Sequence, residues 1–382
     1  MKVGFPYMGC VTGYKRLIEH LGHEVIMPQK PTQRTVDLGV LNSPEFICYP
    51  FKVMLGTYIE LCEKGAEVII SSGGSGPCRA GMYCEIHRRV LKQLGYDVEI
   101  IIFDSLFQDF GEFMRKIKLI SNGNSVFKLI KYLKYTFNLM KQMDGLEAEM
   151  KIRRAYEINH GDFDKAWAEI VKIHEKTSTK ADLKKALAES KRLFDDIEVR
   201  KVKEEDRVRI GIVGEIYVIM ESSVNLEIEK RLNALGVEVT NVQYISEWLS
   251  HNMIPKKFNK SKSWKMDDLA EEYGVCQCGG HNKENTGSIL HFAKEGYKGV
   301  VHLHPFGCLP ELVTRSIIPK ITDEFDLPIL SVSLDEQMGE ANLQTRIEAF
   351  VDLCKSKSKK VSMIDIEDSK DLAEEKNPAA VM

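Results

Sequence analysis

The sequence has neither a long hydrophobic segment nor a large excess of charge of one sign. No apolar run approaches the roughly 18 residues that span a membrane, and the formal net charge of the 382-residue chain is −3. We therefore expect no membrane association, and the charge offers no general case for binding nucleic acid. Residues 1–6 enter a strand directly, without a signal peptide. Together these absences predict a cytoplasmic protein.

Two common catalytic motifs are also missing. The glycine-rich stretch 73–85 has no lysine where a Gly-x-x-x-x-Gly-Lys-Ser/Thr phosphate-binding loop requires one, and no Gly-x-Ser-x-Gly nucleophile elbow occurs. Nucleotide hydrolysis and Ser-His-Asp hydrolysis are therefore poorly supported. The residues leave open a Cys-His nucleophile, formed by Cys78 or Cys308 with one of three histidines, His281, His302 or His304.

An internal repeat predicts the fold. Segments 2–26 and 209–239 each follow the order strand, loop, helix and strand, and in both the helix ends with Leu-Gly-x-Glu-Val. A second correspondence links the stretch from Gly65 to Cys78 with that from Gly296 to Cys308, at spacings of 13 and 12 residues. These repeats predict an α/β protein with two similar Rossmann-like or flavodoxin-like domains, each built on a parallel sheet.

We expect four regions along the chain. Residues 1–105 form an N-terminal α/β domain with cysteine-bearing loops, and residues 206–355 form a C-terminal α/β domain. Residues 106–205, with Lys, Leu, Ile and Glu at helical spacing, form a helical insertion between the two domains. Residues 356–382 are polar and charged and predict a frayed tail. The insertion is expected to cover a site or to make a subunit contact, and we predict a homodimer.

The cysteines are the richest source of candidate site residues. Nine cysteines form an odd set in a long chain, which favours reduced thiols with metal or redox roles over disulfides. Cys78 follows the apolar strand 68–70 and a glycine-rich turn, and it precedes Arg79 at the expected start of a helix. The positive helix N-terminus and the guanidinium both favour the thiolate, which binds metal or attacks an electrophile.

Two other cysteines occupy similar settings. Cys48 lies between two prolines in the segment 44–52, and Cys308 follows the strand 300–303 in a Pro/Gly loop. Cys62 and Cys354 fall on apolar helix stripes and are expected to be core residues. Four further cysteines are reserve ligands: Cys10, Cys84, Cys276 and Cys278. The last two, close to His281 on a glycine-rich loop, also leave open a structural zinc site.

Seven segments of the chain are distinctive in combination. They are Phe-Pro-Tyr-Met-Gly (5–9), Ser-Pro-Glu-Phe-Ile-Cys-Tyr-Pro-Phe-Lys (43–52), Gly-Pro-Cys-Arg-Ala-Gly-Met-Tyr (76–83), Gly-Ile-Val-Gly-Glu-Ile-Tyr-Val (211–218), Gly-Gly-His-Asn-Lys-Glu-Asn (279–285), Pro-Phe-Gly-Cys-Leu-Pro-Glu (305–311) and Leu-Asp-Glu-Gln-Met-Gly-Glu-Ala (334–341). Together they resemble the acyl-CoA dehydratase activase-related proteins, which are relatives of the 2-hydroxyacyl-CoA dehydratase subunits and the double-cubane cluster proteins.

The resemblance implies an oxygen-sensitive iron–sulfur protein of anaerobes. In such proteins cysteines from facing α/β domains hold a [4Fe–4S] or larger cluster, here [4Fe–4S] or [8Fe–9S]. A separate ATP-hydrolysing activator of actin-like fold supplies a low-potential electron, and the substrate is a small molecule or an acyl-CoA. By this resemblance the first candidate ligands are Cys48, Cys78 and Cys308. Relatives often carry Gly-Gly-Cys-Gly-Pro-Cys where this chain has Ser75, which leaves a simpler site or one completed by Cys10, Cys84 or the 276/278 pair.

The resemblance also suggests roles for polar neighbours. Side chains that could hydrogen-bond a cluster sulfur or a substrate carbonyl are Arg79, His281, Lys283 and Glu284. Candidate proton donors at strand ends are Glu215, Glu221 and Glu311. The expected activity is that of a reductase- or dehydratase-type iron–sulfur enzyme. Two alternatives stay open: a non-catalytic cluster-carrying or electron-transfer accessory subunit, and a cluster-free nucleotide-binding regulator.

Overall fold

Two four-stranded parallel sheets organise the protein. The structure, a computed structural model, describes residues 1–73, 78–103, 110–259 and 261–374. The first sheet contains β1 (Lys2–Gly4), β2 (Glu24–Val25), β3 (Val68–Ser72) and β4 (Glu99–Phe103), in the order β2-β1-β3-β4. The second contains β5 (Val208–Gly214), β6 (Val237–Asn241), β7 (Gly299–Pro305) and β8 (Ile329–Leu334), in the order β6-β5-β7-β8. The equivalent orders confirm the predicted α/β fold with two Rossmann-like or flavodoxin-like domains.

Helices connect the parallel strands of each sheet, as parallel pairing requires. In the first sheet they are α1 (Val11–His20), α2 (Gln33–Asn42), α3 (Tyr49–Glu63) and α4 (Ala80–Gln93). In the second they are α9 (Ile216–Met220), α10 (Ile228–Ala234), α11 (Ile245–Met253), α12 (Lys262–Glu272), α13 (Asn282–Lys294) and α14 (Leu309–Phe325). Strands β5 and β7 are mostly apolar and, apart from Arg209, buried, which is typical of parallel strands covered on both faces.

Four helices lie between the two sheets in the sequence. They are α5 (Phe110–Ile120), α6 (Val126–Arg153), α7 (Asp162–Glu175) and α8 (Lys180–Asp195). Leu139 and Met143 of α6 are buried in one core cluster with Phe163 of α7 and Leu183 of α8. Helix α6 also packs against α1 and against β6 and α11. The insertion therefore contacts elements of both sheets.

Helix α3 is apolar nearly all round and lies in the core. Phe51, Val53 and Leu55 are each 0% exposed, and they share one buried cluster with Ile210 and Leu303 of the second sheet. A helix that is hydrophobic on every face is stable only when other elements surround it. Since α3 begins directly after Cys48, the burial of this helix fixes the position of that cysteine.

The last helix of the chain is long. Helix α15 runs from Glu340 to Glu374 and so continues into the segment 356–382 that is expected to be a frayed tail. Residues 341–374 contain neither proline nor glycine, so nothing in the backbone chemistry interrupts the helix. Within the part of the chain described by the structure, no helix combines the length and apolar character needed to cross a membrane.

Candidate metal centre

The three first-choice cysteines lie at or near the N-termini of three helices. Cys48 caps α3 and Cys308 caps α14, each with a proline in the first helical turn, and Cys78 precedes α4 by two residues. Proline is favoured there because the first helical N–H groups have no partner within the helix. The same unpaired N–H groups and the helix dipole stabilise negative charge on a capping thiolate.

Arg79 links the loops that carry these cysteines. Its Nη1 donates to the carbonyl oxygen of Phe46 at 2.8 Å, and its Nη2 donates to the carbonyl oxygen of Gly307 at 2.5 Å. Phe46 is two residues before Cys48, Gly307 directly precedes Cys308, and Arg79 itself follows Cys78. One guanidinium therefore holds together three segments that are far apart in the sequence. We refer to this arrangement as the Arg79 clasp.

Burial favours the protonated form of the Cys78 and Cys308 thiols. The pKa of the Cys308 thiol is raised by burial first and then by the nearby carboxylates of Glu311 and Glu215. Burial also raises the pKa of Cys78, with smaller contributions from Glu215 and Cys48. Cys48 makes a small electrostatic contribution to the raised pKa of both Cys78 and Cys308. Metal binding at these sulfurs would have to displace protons.

The donor groups of the cleft are three thiols at or near helix N-termini around the Arg79 clasp. Thiolates are the ligands that iron–sulfur clusters use. Among the described residues, no group of three or more His, Cys, Asp or Glu side chains is placed to hold a metal ion. Ser75, where relatives often carry cysteine, lies outside the described residues.

The remaining cysteines are distributed unevenly around this cleft. Cys84 is 2% exposed on α4 within the main core, and Cys10 caps α1 in the core of the helical insertion. Cys276 is exposed and Cys278 half-buried on the loop before α13. That loop adjoins the cleft, because a Cβ atom on Gly280 would lie 3.9 Å from the Cys78 sulfur. Of the two cysteines expected in the core, Cys354 is buried and Cys62 is half-buried.

The predicted polar neighbours separate into two groups. Arg79 forms the clasp, and Glu215 and Glu311 lie close enough to Cys308 to raise its pKa. His281 caps α13 beside Gly280, and Glu284 follows on the first turn of that helix. Two other side chains point elsewhere. Lys283 pairs with Glu271 at 2.6 Å, and Glu221 is buried near Tyr7 and Tyr217.

A buried hydrogen-bond network supports the Cys308 loop. Glu311 Oε2 lies 2.9 Å from His302 Nε2, and Glu311 Oε1 accepts from Asn285 Nδ2 at 2.9 Å. Asn285 also binds the backbone of Gly214, and Gln243 Nε2 donates to the Gly214 carbonyl at 2.9 Å. Sequence analysis missed Asn285 and Gln243, although Asn285 ends one of the distinctive segments. Buried polar groups need such partners, so this network holds the strand ends in place.

Tyr83 is a further neighbour of Cys48 that the sequence analysis did not identify. Its hydroxyl group is paired with the Cys48 thiol, and its pKa is raised well above the ordinary value, chiefly by burial. The side chain lies on α4, one turn after Cys78, and stacks edge-on against Phe51 of α3 with the ring centroids 5.2 Å apart. Tyr83 therefore links α4, the helix that follows Cys78, to the start of α3, the helix that follows Cys48.

Two small pockets share Gln243 and Tyr244 in their walls, and each leaves about 10 Å³ of free space, room for about one water molecule. One is also lined by Glu247, Trp248, His251, His281 and Glu284, among others. The other is also lined by Asp144, Glu147 and Lys151, among others. Both are at the carboxyl ends of parallel strands, where α/β folds bind ligands.

A comparison against known families agrees with the fold. The family described as "2-hydroxyglutaryl-CoA dehydratase, D-component" matches residues 139–353, more than half of the chain. The chain belongs to this family. The resemblance to 2-hydroxyacyl-CoA dehydratase subunits is thereby confirmed, and the protein is a 2-hydroxyacyl-CoA dehydratase-like subunit. No curated protein shows significant similarity to the chain.

The D-component match covers only part of the candidate site. It begins within α6 and includes all of the second sheet, with Glu215, His281, Cys308 and Glu311. Cys48 and Cys78, together with Arg79, lie before the matched segment. The role of Cys48, Cys78 and Cys308 as metal ligands therefore stays a prediction, which depends on the arrangement of the cleft.

Proposed function

We propose that this D-component family protein binds an iron–sulfur cluster through Cys48, Cys78 and Cys308. In this proposal it receives low-potential electrons from an ATP-hydrolysing activator of actin-like fold and acts on a small or CoA-linked substrate. The single observation that carries the proposal is the Arg79 clasp, which joins the three cysteine loops at the N-termini of three helices. Family membership supports the dehydratase-like class.

The residues around the cleft would each have a defined task. The cluster, when bound, would supply one-electron chemistry at low potential. Arg79 would keep the cysteine loops in register and place positive charge beside the thiolates. Glu215, whose pKa burial raises to about 7, would hold a proton near neutral pH next to Cys78 and Cys308. A carboxyl group with that pKa is suited to donating a proton at neutral pH.

Apolar side chains around the mouth of the cleft support docking of the electron-donating partner. Phe46 and Phe306 are 83% and 68% exposed, and Met82 and Leu309 are also exposed. Each of the four lies within four residues of a candidate ligand cysteine. Exposed apolar groups clustered at one place are typical of a protein–protein contact. The same surface would serve an electron-transfer accessory subunit, which is the alternative function.

A second surface is the proposed dimer contact. Phe127 is 87% exposed near the start of α6, and Ile130 and Leu133 follow at helical spacing with 45% and 42% exposure. This placement in the insertion agrees with the expectation that the insertion makes a subunit contact. Sedimentation equilibrium of the wild-type chain and of Phe127→Ser would show whether the dimer forms there.

Anaerobic purification with iron and sulfide analysis tests the cluster directly. We expect a brown protein with an electron paramagnetic resonance signal after reduction. Cys78→Ala and Cys308→Ala should lose most of the iron, as should Cys48→Ala. Cys62→Ala and Cys354→Ala are matched controls, because both cysteines lie away from the clasp, and they should retain it. Full iron content in Cys78→Ala or Cys308→Ala would contradict the assignment.

Electron transfer from the partner can be tested separately. Phe46→Ser and Phe306→Ser should slow reduction by the activator about tenfold or more while leaving iron content unchanged, since interface anchors contribute several kcal/mol to binding. Reduction by dithionite needs no docking and serves as the control. An enzyme would then turn over a substrate, whereas an accessory subunit would pass its electron to another protein.

A further inference from the structure

The hydrogen-bond donors of the candidate ligand sulfurs are of two kinds. Backbone N–H groups donate to two of these sulfurs, in the pairs Ala80–Cys78 and Glu311–Cys308. The Cys48 sulfur is paired with a side chain, the hydroxyl group of Tyr83. A backbone donor is present with any residue except proline, whereas a hydroxyl donor depends on the residue type. The identity of residue 83 therefore determines the surroundings of one ligand sulfur.

Two helix faces bring Tyr83 and Cys48 together. Cys48 and Phe51 are three residues apart at the start of α3, so they lie on one side of that helix. Tyr83 and His87 are four residues apart on α4 and share a side in the same way. The Phe51 ring lies edge-on to Tyr83, with the centroids 5.2 Å apart, and stacks on His87, with the centroids 4.0 Å apart. These ring contacts hold the phenol of Tyr83 against the first turn of α3, where Cys48 is the N-cap.

The surrounding contacts leave the phenol little freedom to turn away. Tyr83 is 8% exposed and Cys48 is 5% exposed, and both belong to the main core cluster. His87 is fully buried, and its Nε2 lies 3.1 Å from the Phe51 carbonyl oxygen, which ties α4 to α3 at the same place. Turning the Tyr83 hydroxyl group away from the sulfur would leave a buried donor without this partner, which is costly. The Tyr83–Cys48 pair is therefore fixed by the packing of the two helices.

Tyr83 is the donor in this hydrogen bond. A phenol ordinarily has a pKa of about 10. Burial raises the pKa of Tyr83 well above that value, and the hydrogen bond to Cys48 is a smaller cause of the same sign. The hydroxyl group therefore keeps its proton at neutral pH. A cysteine sulfur that has lost its proton to bind metal can only accept, so the O–H group of Tyr83 donates to it.

A hydrogen bond to a ligand sulfur stabilises the two redox states of an iron–sulfur cluster by different amounts. An added electron increases the negative charge on the sulfurs, so a donor stabilises the reduced state more than the oxidised state. Hydrogen bonds to the sulfurs are accordingly one of the factors that set the reduction potential of such clusters. A donor at the Cys48 sulfur raises that potential, and its removal lowers it.

We propose that the Tyr83 hydroxyl group raises the reduction potential of the bound cluster by donating a hydrogen bond to the Cys48 sulfur. The inference rests on the proposed function, because it needs a cluster that is ligated by Cys48. Tyr83 is then a positioning residue, since it acts through the ligand sulfur and needs no contact with a substrate. By making the cluster easier to reduce, it assists electron transfer from the partner protein.

Redox titration of the anaerobically purified protein tests this role. Tyr83→Phe removes the hydroxyl group and keeps the ring that packs on Phe51. Titanium(III) citrate is the reductant, and electron paramagnetic resonance counts the reduced clusters. We expect the ratio of reduced to oxidised cluster at a fixed potential to fall about three- to tenfold, a shift of up to about 59 mV for one electron. Tyr83→3-fluorotyrosine makes the phenol a stronger donor and should shift the ratio in the opposite direction.

Tyr58→Phe is the matched control. Tyr58 is fully buried beside His87, with the ring centroids 5.0 Å apart, but its hydroxyl group donates to Ser71 Oγ at 2.8 Å. This variant loses a buried hydroxyl group of the same kind and should keep the wild-type reduction potential. An unchanged potential in Tyr83→Phe overturns the inference, and so does an equal shift in Tyr58→Phe.

Iron and sulfide analysis of the same samples separates this inference from the function proposed above. Wild-type protein without iron would contradict the proposed function and this inference with it. Normal iron content together with an unshifted potential in Tyr83→Phe overturns this inference alone. If Tyr83→Phe loses iron, the 3-fluorotyrosine protein decides, because it keeps the hydroxyl group. A potential that does not rise in that protein overturns the inference.

Discussion

Arg79 shows how much of the candidate site depends on one side chain. Its two Nη atoms bind the carbonyl oxygens of Phe46 and Gly307, on the loops that carry Cys48 and Cys308. A guanidinium is planar, stays charged and offers donors in fixed directions, so it can satisfy two carbonyl groups at once. The same charge lies beside Cys78 and offsets part of the cost of buried negative charge.

Replacing Arg79 should release the cysteine loops without unfolding the protein. Lysine can reach at most one of the two carbonyl groups, so Arg79→Lys should lose iron to a chelator about tenfold faster or more, since one charged hydrogen bond contributes roughly 1.5–3 kcal/mol and about 1.4 kcal/mol is a factor of ten. Urea unfolding and the electron paramagnetic resonance spectrum of the remaining cluster are measured on the same variant. Arg89→Ala removes an exposed arginine that pairs only with Glu85 among described residues. It should change neither the rate of iron loss nor the free energy of unfolding. If Arg79→Lys lost iron at the wild-type rate, the proposed role of the Arg79 clasp would be refuted.

Glu215 contributes to the pH at which the Cys78 and Cys308 thiols ionise. Burial is the main cause of the raised pKa of Cys78 and Cys308, and Glu215 adds to it in both. Glu215→Gln removes this negative charge, so both thiol pKa values should fall. Iodoacetamide should then alkylate Cys78 in metal-free Glu215→Gln at a lower pH than in the wild type.

The pH profile of this alkylation, followed by mass spectrometry, checks the prediction. The rate should rise with pH in both proteins, because the thiolate is the nucleophile, with the midpoint of Glu215→Gln shifted downward. Glu221→Gln removes a carboxyl group buried elsewhere and should leave the midpoint unchanged. An unshifted profile in Glu215→Gln would mean that its carboxylate does not act on the thiols.

At the scale of elements, the close approach of α2 and α3 positions Cys48. A Cβ atom on Gly56 of α3 would lie 1.8 Å from the Thr35 carbonyl oxygen, and one on Gly39 of α2 would lie 1.8 Å from the Lys52 carbonyl oxygen. The helices can touch along their backbones only because both positions are glycine. Any side chain there must push α3, and Cys48 with it, away from the clasp.

Gly56→Ala should therefore reduce both stability and iron content. We expect a loss of about 1–3 kcal/mol in the free energy of unfolding, measured with urea, because overpacking in a rigid core costs that much. Gly145→Ala is the matched control on α6, where a Cβ atom meets nothing within 4 Å. That change should be neutral or stabilising by up to about 1 kcal/mol, since alanine is the better helix former. Equal effects of the two substitutions would contradict the steric explanation.

At the scale of the whole molecule, one ion pair joins the two halves of the cleft. Lys52 of α3 is 5% exposed, and its Nζ lies 2.5 Å from Glu336 Oε1 on the loop after β8. The shared apolar cluster around α3 adds a larger, non-directional attraction between the two sheets. Together these contacts hold the Cys48 and Cys308 loops within the reach of Arg79.

The two members of this pair should not respond equally to substitution. Glu336→Gln leaves a deeply buried ammonium group without its counter-charge, whereas Lys52→Met leaves a carboxylate that is partly exposed. We expect Glu336→Gln to lower the free energy of unfolding by roughly 3–5 kcal/mol and Lys52→Met by clearly less. Urea denaturation of both variants and of the double variant tests this, and the double variant should recover part of the loss. A larger effect of Lys52→Met would reverse the interpretation.

Local patterns in the sequence were sufficient to predict the architecture. The repeated Leu-Gly-x-Glu-Val helix ends and the apolar strands predict two equivalent parallel sheets because strand and helix formation depend on short-range periodicity. The same patterns placed Cys78 and Cys308 at corresponding strand ends. They did not give the length of α15, which runs to Glu374, because helix propagation in a charged segment depends on small differences in propensity.

The candidate site itself was decided by tertiary structure. Arg79 binds partners 33 and 228 residues away, and Gln243 meets Asn285 across 42 residues. No local periodicity encodes such pairs, because they follow from the way the two sheets pack around α3. The sequence by itself determined the fold class, the family resemblance and the cysteines to consider. Only the packing decided which loops share a clasp, which carboxyl groups face the thiols, and which hydroxyl group meets the Cys48 sulfur.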